Sequence, residues 1–282
     1  MTCPLNCRAG VEPLASSGPS SHYSRCLGCG LAFEQQPQAF TELARCYLED
    51  VFSPTKYYLQ TRQEDIVTFR RRLKLLTSFS PARGRLLDVG CSTGTLMEVA
   101  QKLGWRIEGL EPNPQAVESA RQSGFEVHQG FFTSEMVSRL PGGGYQGIVM
   151  SDVIEHLTHP QRSLRLINRL LAPGGLILVT TPNLESIWCR KFQAKPGEHL
   201  FLFNSASLRM LFERAAFEIC HVETTSRRHS LSKLTNSTTQ LGPHIDWLVD
   251  ALCQLKLDGF ATWIMEHFFK DELLLIARKP YR

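Results

Sequence analysis

Three sets of residues in this chain have the types and spacing to do chemistry. The first is a small-residue loop, Asp88-Val-Gly90-Cys91-Ser92-Thr-Gly94, followed by an acid at Glu111. Glycines let a backbone approach a ligand closely, and a helix beginning there presents unpaired N–H groups to it. An acid about 20 residues beyond such a loop is the usual partner of a ribose diol. The second set is Ser151-Asp152-Val-Ile-Glu155-His156 with a later His199. An imidazole titrates near neutrality, so His156 is the leading candidate base, with Asp152 and His199 beside it. The third set is Cys3-x3-Cys7 and Cys26-x2-Cys29. Two close cysteine pairs read as four soft ligands for a structural zinc, with His22 able to stand in for one thiolate. Free thiols are the alternative.

The glycine spacing narrows the ligand. A dinucleotide loop of the form G-x-G-x-x-G, started at Gly90, would need glycine at Ser92 and Thr95. This loop is therefore not built around a pyrophosphate, and a nucleoside-containing cofactor remains. An ordinary strand-to-helix turn in some other α/β protein is the competing reading.

The elements that must position these residues follow from pattern. Arg85–Val89 reads as a strand, and the run from Thr95 as a helix. Trp105–Leu110 is a second strand ending at Glu111 and Pro112. Asn113 is an N-cap, with Pro114 in the first helical position. Phe125–Phe132 is a third strand with its loop. Ile148–Met150 is buried strand, so Ser151 and Asp152 fall just past its carboxyl end, facing the ligand crevice. On the start of a helix, Glu155 and His156 diverge, whereas Asp152 and His156, four apart, share a face. Leu164–Leu171 is an amphipathic helix closed by Pro-Gly-Gly, and Leu176–Asn183 the next strand. Residues 34–80 are helical, with Ile66, Phe69, Leu73 and Leu76 on one face. The Arg70–Arg72 run reads as a solvated helix face. Residues 226–269 carry two amphipathic stretches, and Glu272–Ala277 closes the chain as a strand.

Composition bounds the rest. The chain has 282 residues, 43% hydrophobic and 21% charged, a globular composition. A formal charge of +4 is small for this length and argues against a nucleic-acid partner. No apolar run is long enough to cross a membrane, and the first residues lack an apolar signal region. Nine cysteines, an odd number, fit a reducing cytoplasm better than a disulfide framework.

The runs L-L-D-V-G-C-S-T-G, D-x-x-E-H-L and L-x-P-G-G-x-L-x-V-x-T-P-N, in that order, resemble the class I S-adenosylmethionine-dependent methyltransferases over roughly residues 80–225. The resemblance implies an α/β fold: a Rossmann-like seven-stranded mixed sheet with helices on both faces, plus a small N-terminal zinc-ribbon-like segment. It divides the chain into 1–33 (zinc-ribbon-like), 34–80 (helical cover) and 81–282 (cofactor-binding domain, with a substrate or cap insertion at 226–269). It assigns S-adenosylmethionine to Asp88, Gly90, Cys91, Ser92, Gly94, Glu111, Pro112, Ser151 and Asp152. The adenine falls to Gln129, Gly130 and Phe131, and Tyr57 and Tyr58 stand where relatives cover the cofactor. Some relatives bind a divalent cation through an acid-x-x-E-H motif, which maps here to Glu155 and His156, with Asp152 and His199 nearby. The implied reaction is methyl transfer to an O, N or C atom of a small-molecule acceptor by a cytoplasmic enzyme, with room for a homodimer. Two other readings compete. One is an inactive S-adenosylmethionine-binding regulatory protein. The other is a zinc-ribbon RNA methyltransferase using Arg70–Arg72 and Arg227–Arg228. An intact glycine loop with Glu111 argues against the first, and the weak net charge against the second.

Overall fold

The computed structural model describes residues 2–14, 19–52, 54–80, 83–142, 144–227 and 270–281. Apart from Ser226 and Arg227, the insertion expected at 226–269 lies outside them, as does Arg228.

The cysteine segment supplies β1 (Val11–Pro13), β2 (Tyr23–Cys26) and β3 (Ala32–Glu34), and the cover supplies α1 (Phe40–Leu48) and α2 (Thr55–Phe79). The α/β body follows as β4 (Arg85–Val89), α3 (Thr95–Lys102), β5 (Arg106–Glu111), α4 (Pro114–Gln122), β6 (Val127–Gln129), α5 (Ser134–Arg139) and β7 (Tyr145–Ser151). Then come α6 (Pro160–Leu170), β8 (Leu171–Pro182), β9 (Phe201–Leu202), α7 (Ser205–Arg214), β10 (Glu218–Thr225) and β11 (Glu272–Arg278).

Seven strands form one mixed sheet in the order β10-β11-β8-β7-β4-β5-β6. The β8-β7-β4-β5-β6 stretch is parallel, and β11 runs antiparallel between β8 and β10. Parallel strands covered on both faces need continuous apolar runs, and β4, β7 and β8 have them. Leu86, Leu87, Ile148, Val149, Ile177, Leu178 and Val179 are fully buried. From β4 the chain winds outward through β5 and β6, then returns to place β7 on the other side. The resulting reversal between β4 and β7 opens a crevice beyond their carboxyl ends. Both the glycine loop and Asp152 lie there.

Some elements differ from the sequence reading. The strand after α6 begins at Leu171, directly where the helix ends, and runs through Pro-Gly-Gly. Gly174 adopts φ 73° within it. Arg72 does not join a solvated face. It is buried, pairs with Glu272 on β11, and donates to Ser151 Oγ (2.9 Å) and Thr180 Oγ1 (3.3 Å). Periodicity shows a helix but not which polar residue meets a buried partner from 200 residues away.

Candidate active site

The glycine loop is held open by backbone conformation. Gly90, Ser92 and Gly94 all have positive φ (78°, 46° and 83°), and Ser92 is the one among them with a side chain. A Cβ at Gly90 would stand 2.6 Å from Val153 Cγ2, so the loop and the segment after β7 approach as closely as glycine allows. Glu111 ties this loop to the start of α4. Its Oε2 accepts from Ser92 N and its Oε1 from Asn113 N, both at 2.9 Å. Asn113 caps α4, accepting from Gln115 N and Ala116 N, and also donates to Asp50. Asp50 in turn accepts from Thr55 at the start of α2, so the helical cover is fastened to the cofactor loop.

These pieces enclose a cleft of about 290 Å³. Asp88, Gly90, Cys91, Ser92, Glu111, Pro112, Gly130, Phe131, Ser151 and Asp152 all line it. Two expected residues do not. Gly94 caps α3 with its back to Phe125, and Gln129 is exposed at the end of β6. The loop after β6 turns Phe131 toward the cleft instead, where it packs edge-on to Phe40 and Tyr47 of α1. Tyr58 also lines the cleft, but α1 contributes Phe40, Leu43 and Tyr47 to it, so much of the cover lies earlier than the Tyr57–Tyr58 position.

The electrostatics of the cleft are informative. Asp88 and Glu111 are buried carboxyls facing the same space, and burial, then Glu111, pushes the Asp88 carboxyl up to about 8. At neutral pH Asp88 therefore holds its proton and offers a hydrogen-bond donor, and burial raises Glu111 as well. A polar carboxyl pair of this kind at the strand ends suits the hydroxyls of a ribose-bearing ligand.

A second cavity, of about 360 Å³, adjoins the first. Tyr58, Asp152, His156 and Arg227 line both. Phe52, Pro54 and Tyr57 form its apolar wall, and Glu155, Glu198, His199 and Glu272 its polar end. Here the helix-start geometry is corrected. Asp152 is a left-handed residue (φ 55°), and Ile154–His156 is a single 3₁₀ turn. That turn makes Glu155 and His156 converge, with Glu155 Oε1 and His156 Nε2 3.9 Å apart. Ligand atoms of Glu155, His156 and His199 all lie within 4.8 Å of one another.

Hydrogen bonding fixes the His156 tautomer. Nδ1 lies 2.9 Å from the Glu198 carbonyl oxygen, which only accepts, so Nδ1 carries the proton. Nε2 is left with its lone pair. Burial lowers the pKa of His156 and, together with His156, that of His199, so both rings are neutral. Burial, then Asp152, raises that of Glu155. Glu155 Oε2 accepts from Thr181 Oγ1 at 3.0 Å, while Glu155 Oε1 and His199 Nδ1 have no partner among the described residues.

Sequence reasoning missed Arg227 in this role. It does not form a surface patch but points inward, with Nε 3.0 Å from Asp65 and Nη1 3.4 Å from Asp152. Burial disfavours its charge, but Asp65, Asp152 and Glu272 more than offset that and raise its pKa. No local signal distinguishes this arginine from a surface one.

In the N-terminal segment the Sγ atoms of Cys3, Cys7, Cys26 and Cys29 lie within 4.8 Å of one another. Cys3 and Cys29 Sγ are 3.7 Å apart. A tetrahedron with metal–sulfur bonds of about 2.3 Å has edges of about 3.8 Å, so the thiols are spaced for zinc. All four are free cysteines, and His22 is exposed and outside the cluster.

Fold and site together define a Rossmann-like protein with a cleft at the reversal point of its sheet, lined by the glycine loop and Glu111. A family model described as methyltransferase domain matches residues 58–222, and the chain belongs to that family, the class I S-adenosylmethionine-dependent methyltransferases. A ubiquinone biosynthesis O-methyltransferase from a Caulobacter species is 30% identical over 162 residues, 53% of this chain and 63% of that protein. The chain thus spans less than two thirds of that relative. Among solved structures, an S-adenosylmethionine-dependent methyltransferase from Archaeoglobus fulgidus superposes with TM-score 0.56 at 19% identity, covering 79% of this chain and 99% of that one. The 1,6-didemethyltoxoflavin-N1-methyltransferase of Burkholderia thailandensis does so at 0.56 and 15% identity, covering 95% and 99%. These two likenesses show the fold.

Proposed function

We propose that the chain transfers a methyl group from S-adenosylmethionine to a small-molecule acceptor seated in the second cavity. One observation carries this: Asp152 and His156 line both cavities, so a cofactor in the first meets an acceptor in the second at those residues. The O-methyltransferase relative supports an oxygen acceptor over nitrogen or carbon.

S-adenosylmethionine, when bound, supplies an electrophilic methyl on a sulfonium. Glu111 stands ready for the ribose hydroxyls, the protonated Asp88 for a hydrogen bond to the ligand, and Phe131 and the aromatics of α1 for a flat ring. Thr180 Oγ1 and Arg227 hold Asp152 at the mouth between cavities. Its position favours aligning the acceptor, and alignment supplies much of the rate in an in-line displacement. His156, with Nδ1 anchored on Glu198, offers Nε2 to take the proton of an acceptor hydroxyl. His199 packs edge-on against it, with centroids 4.7 Å apart, and so fixes its ring plane.

The converged Glu155, His156 and His199 also suit a divalent cation. It would find two neutral imidazoles and a buried acid whose proton it displaces, and it would polarise the acceptor hydroxyl. In the N-terminal segment, Cys3, Cys7, Cys26 and Cys29 would hold a structural zinc. The absence of disulfides among the described cysteines supports a reducing, cytoplasmic setting.

The test is calorimetry with S-adenosylhomocysteine followed by transfer of labelled methyl from S-adenosylmethionine to a panel of small-molecule hydroxyl acceptors. Binding should weaken roughly 10- to 100-fold in Glu111→Gln, the cost of a lost charged hydrogen bond. Turnover should disappear in His156→Ala with binding retained. Binding without any turnover would leave a regulatory protein, and no binding would sink the cofactor reading. Activity lost to a chelator and restored by magnesium or manganese would assign the cation; activity indifferent to chelation would leave His156 as base.

A further inference from the structure

The cysteine segment does not fold apart from the catalytic body. Its three strands are completed by β9, which belongs to the methyltransferase fold, giving the sheet order β1-β2-β3-β9. β9 begins two residues after His199, and the turn leading to it is gripped from the cysteine side at several points. The buried Tyr23 hydroxyl, on β2, donates to the His199 carbonyl oxygen at 2.7 Å. Glu34, on β3, accepts from Gly197 N at 2.9 Å through Oε1, and its own N–H donates to the Leu200 carbonyl at 2.9 Å. From the opposite side, Leu200 N donates to the Glu155 carbonyl at 2.9 Å, and the Glu198 carbonyl accepts from His156. The turn 195–200 is therefore clamped between the cysteine knuckle and the Glu155–His156 pair.

We propose that Tyr23 is a positioning residue: through it the zinc-loaded knuckle sets His199 in the acceptor cavity, so that loading of the knuckle governs the transfer step. This rests on the methyl-transfer reading of that cavity. The ring of Tyr23 packs among Ala32, Leu184, Cys189, Ala194 and Leu202, so Tyr23→Phe keeps the packing and removes only the hydroxyl. Tyr23 lines neither cavity. Any effect on the site passes through the turn.

The experiment uses the full chain with isotope-labelled histidine, the His199 ring signal being identified by its loss in His199→Gln. In Tyr23→Phe the His199 signal should shift, while that of His128, paired with Glu108 at 3.0 Å on β6, stays in place. The kcat should fall roughly tenfold or more, as displacement of a site group by a fraction of an ångström does. The dissociation constant for S-adenosylhomocysteine should be unchanged. Cys29→Ser, which breaks the four-thiol set without touching the Glu155–His156–His199 group, should lose zinc by metal analysis and move the same signal. Glu34→Ala, which frees Gly197 N, provides a second variant with the same expected pattern. An unmoved His199 signal and unchanged kcat in both variants would overturn the proposal. A moved signal in a chain whose wild type transfers no methyl group would sustain the coupling and remove the methyl-transfer reading instead.

Discussion

At the scale of single residues, Asp88 and Glu111 carry the cofactor reading, and Asp88 also carries a pH dependence. Its folded-state value of about 8 lies above the roughly 3.9 of an exposed aspartate, because burial and the neighbouring Glu111 oppose its charge. The folded protein therefore holds a proton that the unfolded chain releases. Its contribution to stability is complete below pH 4 and is lost as pH rises through about 8. The ligand-free chain should melt at a lower temperature at pH 9 than at pH 6, and Asp88→Asn should flatten that slope. Calorimetry at the two pH values decides it, and an equal slope in the variant would refute the assignment.

At the scale of elements, the β4–α3 loop and the segment after β7 act as one unit because Gly90 lets them touch. An alanine there meets both obstacles at once: a left-handed φ, worth about 1–2 kcal/mol against any L-residue, and Val153 at 2.6 Å. Val153 adjoins Asp152, so the strain is delivered to the junction of the two cavities. Gly90→Ala is expected to lower stability by at least that amount and to weaken S-adenosylhomocysteine binding more than tenfold by titration. Two other residues with positive φ lie close by, Ser92 in the first cavity and Asp152 at the junction, where fixed geometry is what orients ligands.

At the scale of the molecule, the cysteine knuckle and the catalytic sheet share a core. Cys3, Leu5, Cys26, Cys29, Leu31 and Phe33 pack in the same buried cluster as Leu200, Phe201, Phe203, Leu208 and Leu211. Removing the metal should then not release a separately melting segment. A single calorimetric transition should move to lower temperature on chelation, and two resolved transitions would contradict a shared core. Among the described residues, no helix is long and apolar enough to cross a membrane.

How much was legible divides along the range of the interactions. Glycine spacing, the acid at Glu111, the Asn113 cap and the paired cysteines are local signals, decided by backbone conformation and the chemistry of neighbours in sequence. They were sufficient for the strand–loop–helix around the cofactor and for the thiol cluster. Convergence of Glu155 with His156 was not, because it depends on a 3₁₀ turn where periodicity suggested a helix. Nor was the fate of Arg72 and Arg227, whose partners lie 75 to 200 positions away and exist only once β7, β8 and β11 are stacked. The same holds for β9, two residues long, which joins the knuckle to the His199 turn. By itself the sequence determined the class of cofactor, since close backbone approach and a ribose-facing acid are written in residue type and spacing. Only the tertiary structure brought the two cavities together at Asp152 and His156, because that junction is assembled from side chains whose proximity is a product of sheet order and burial.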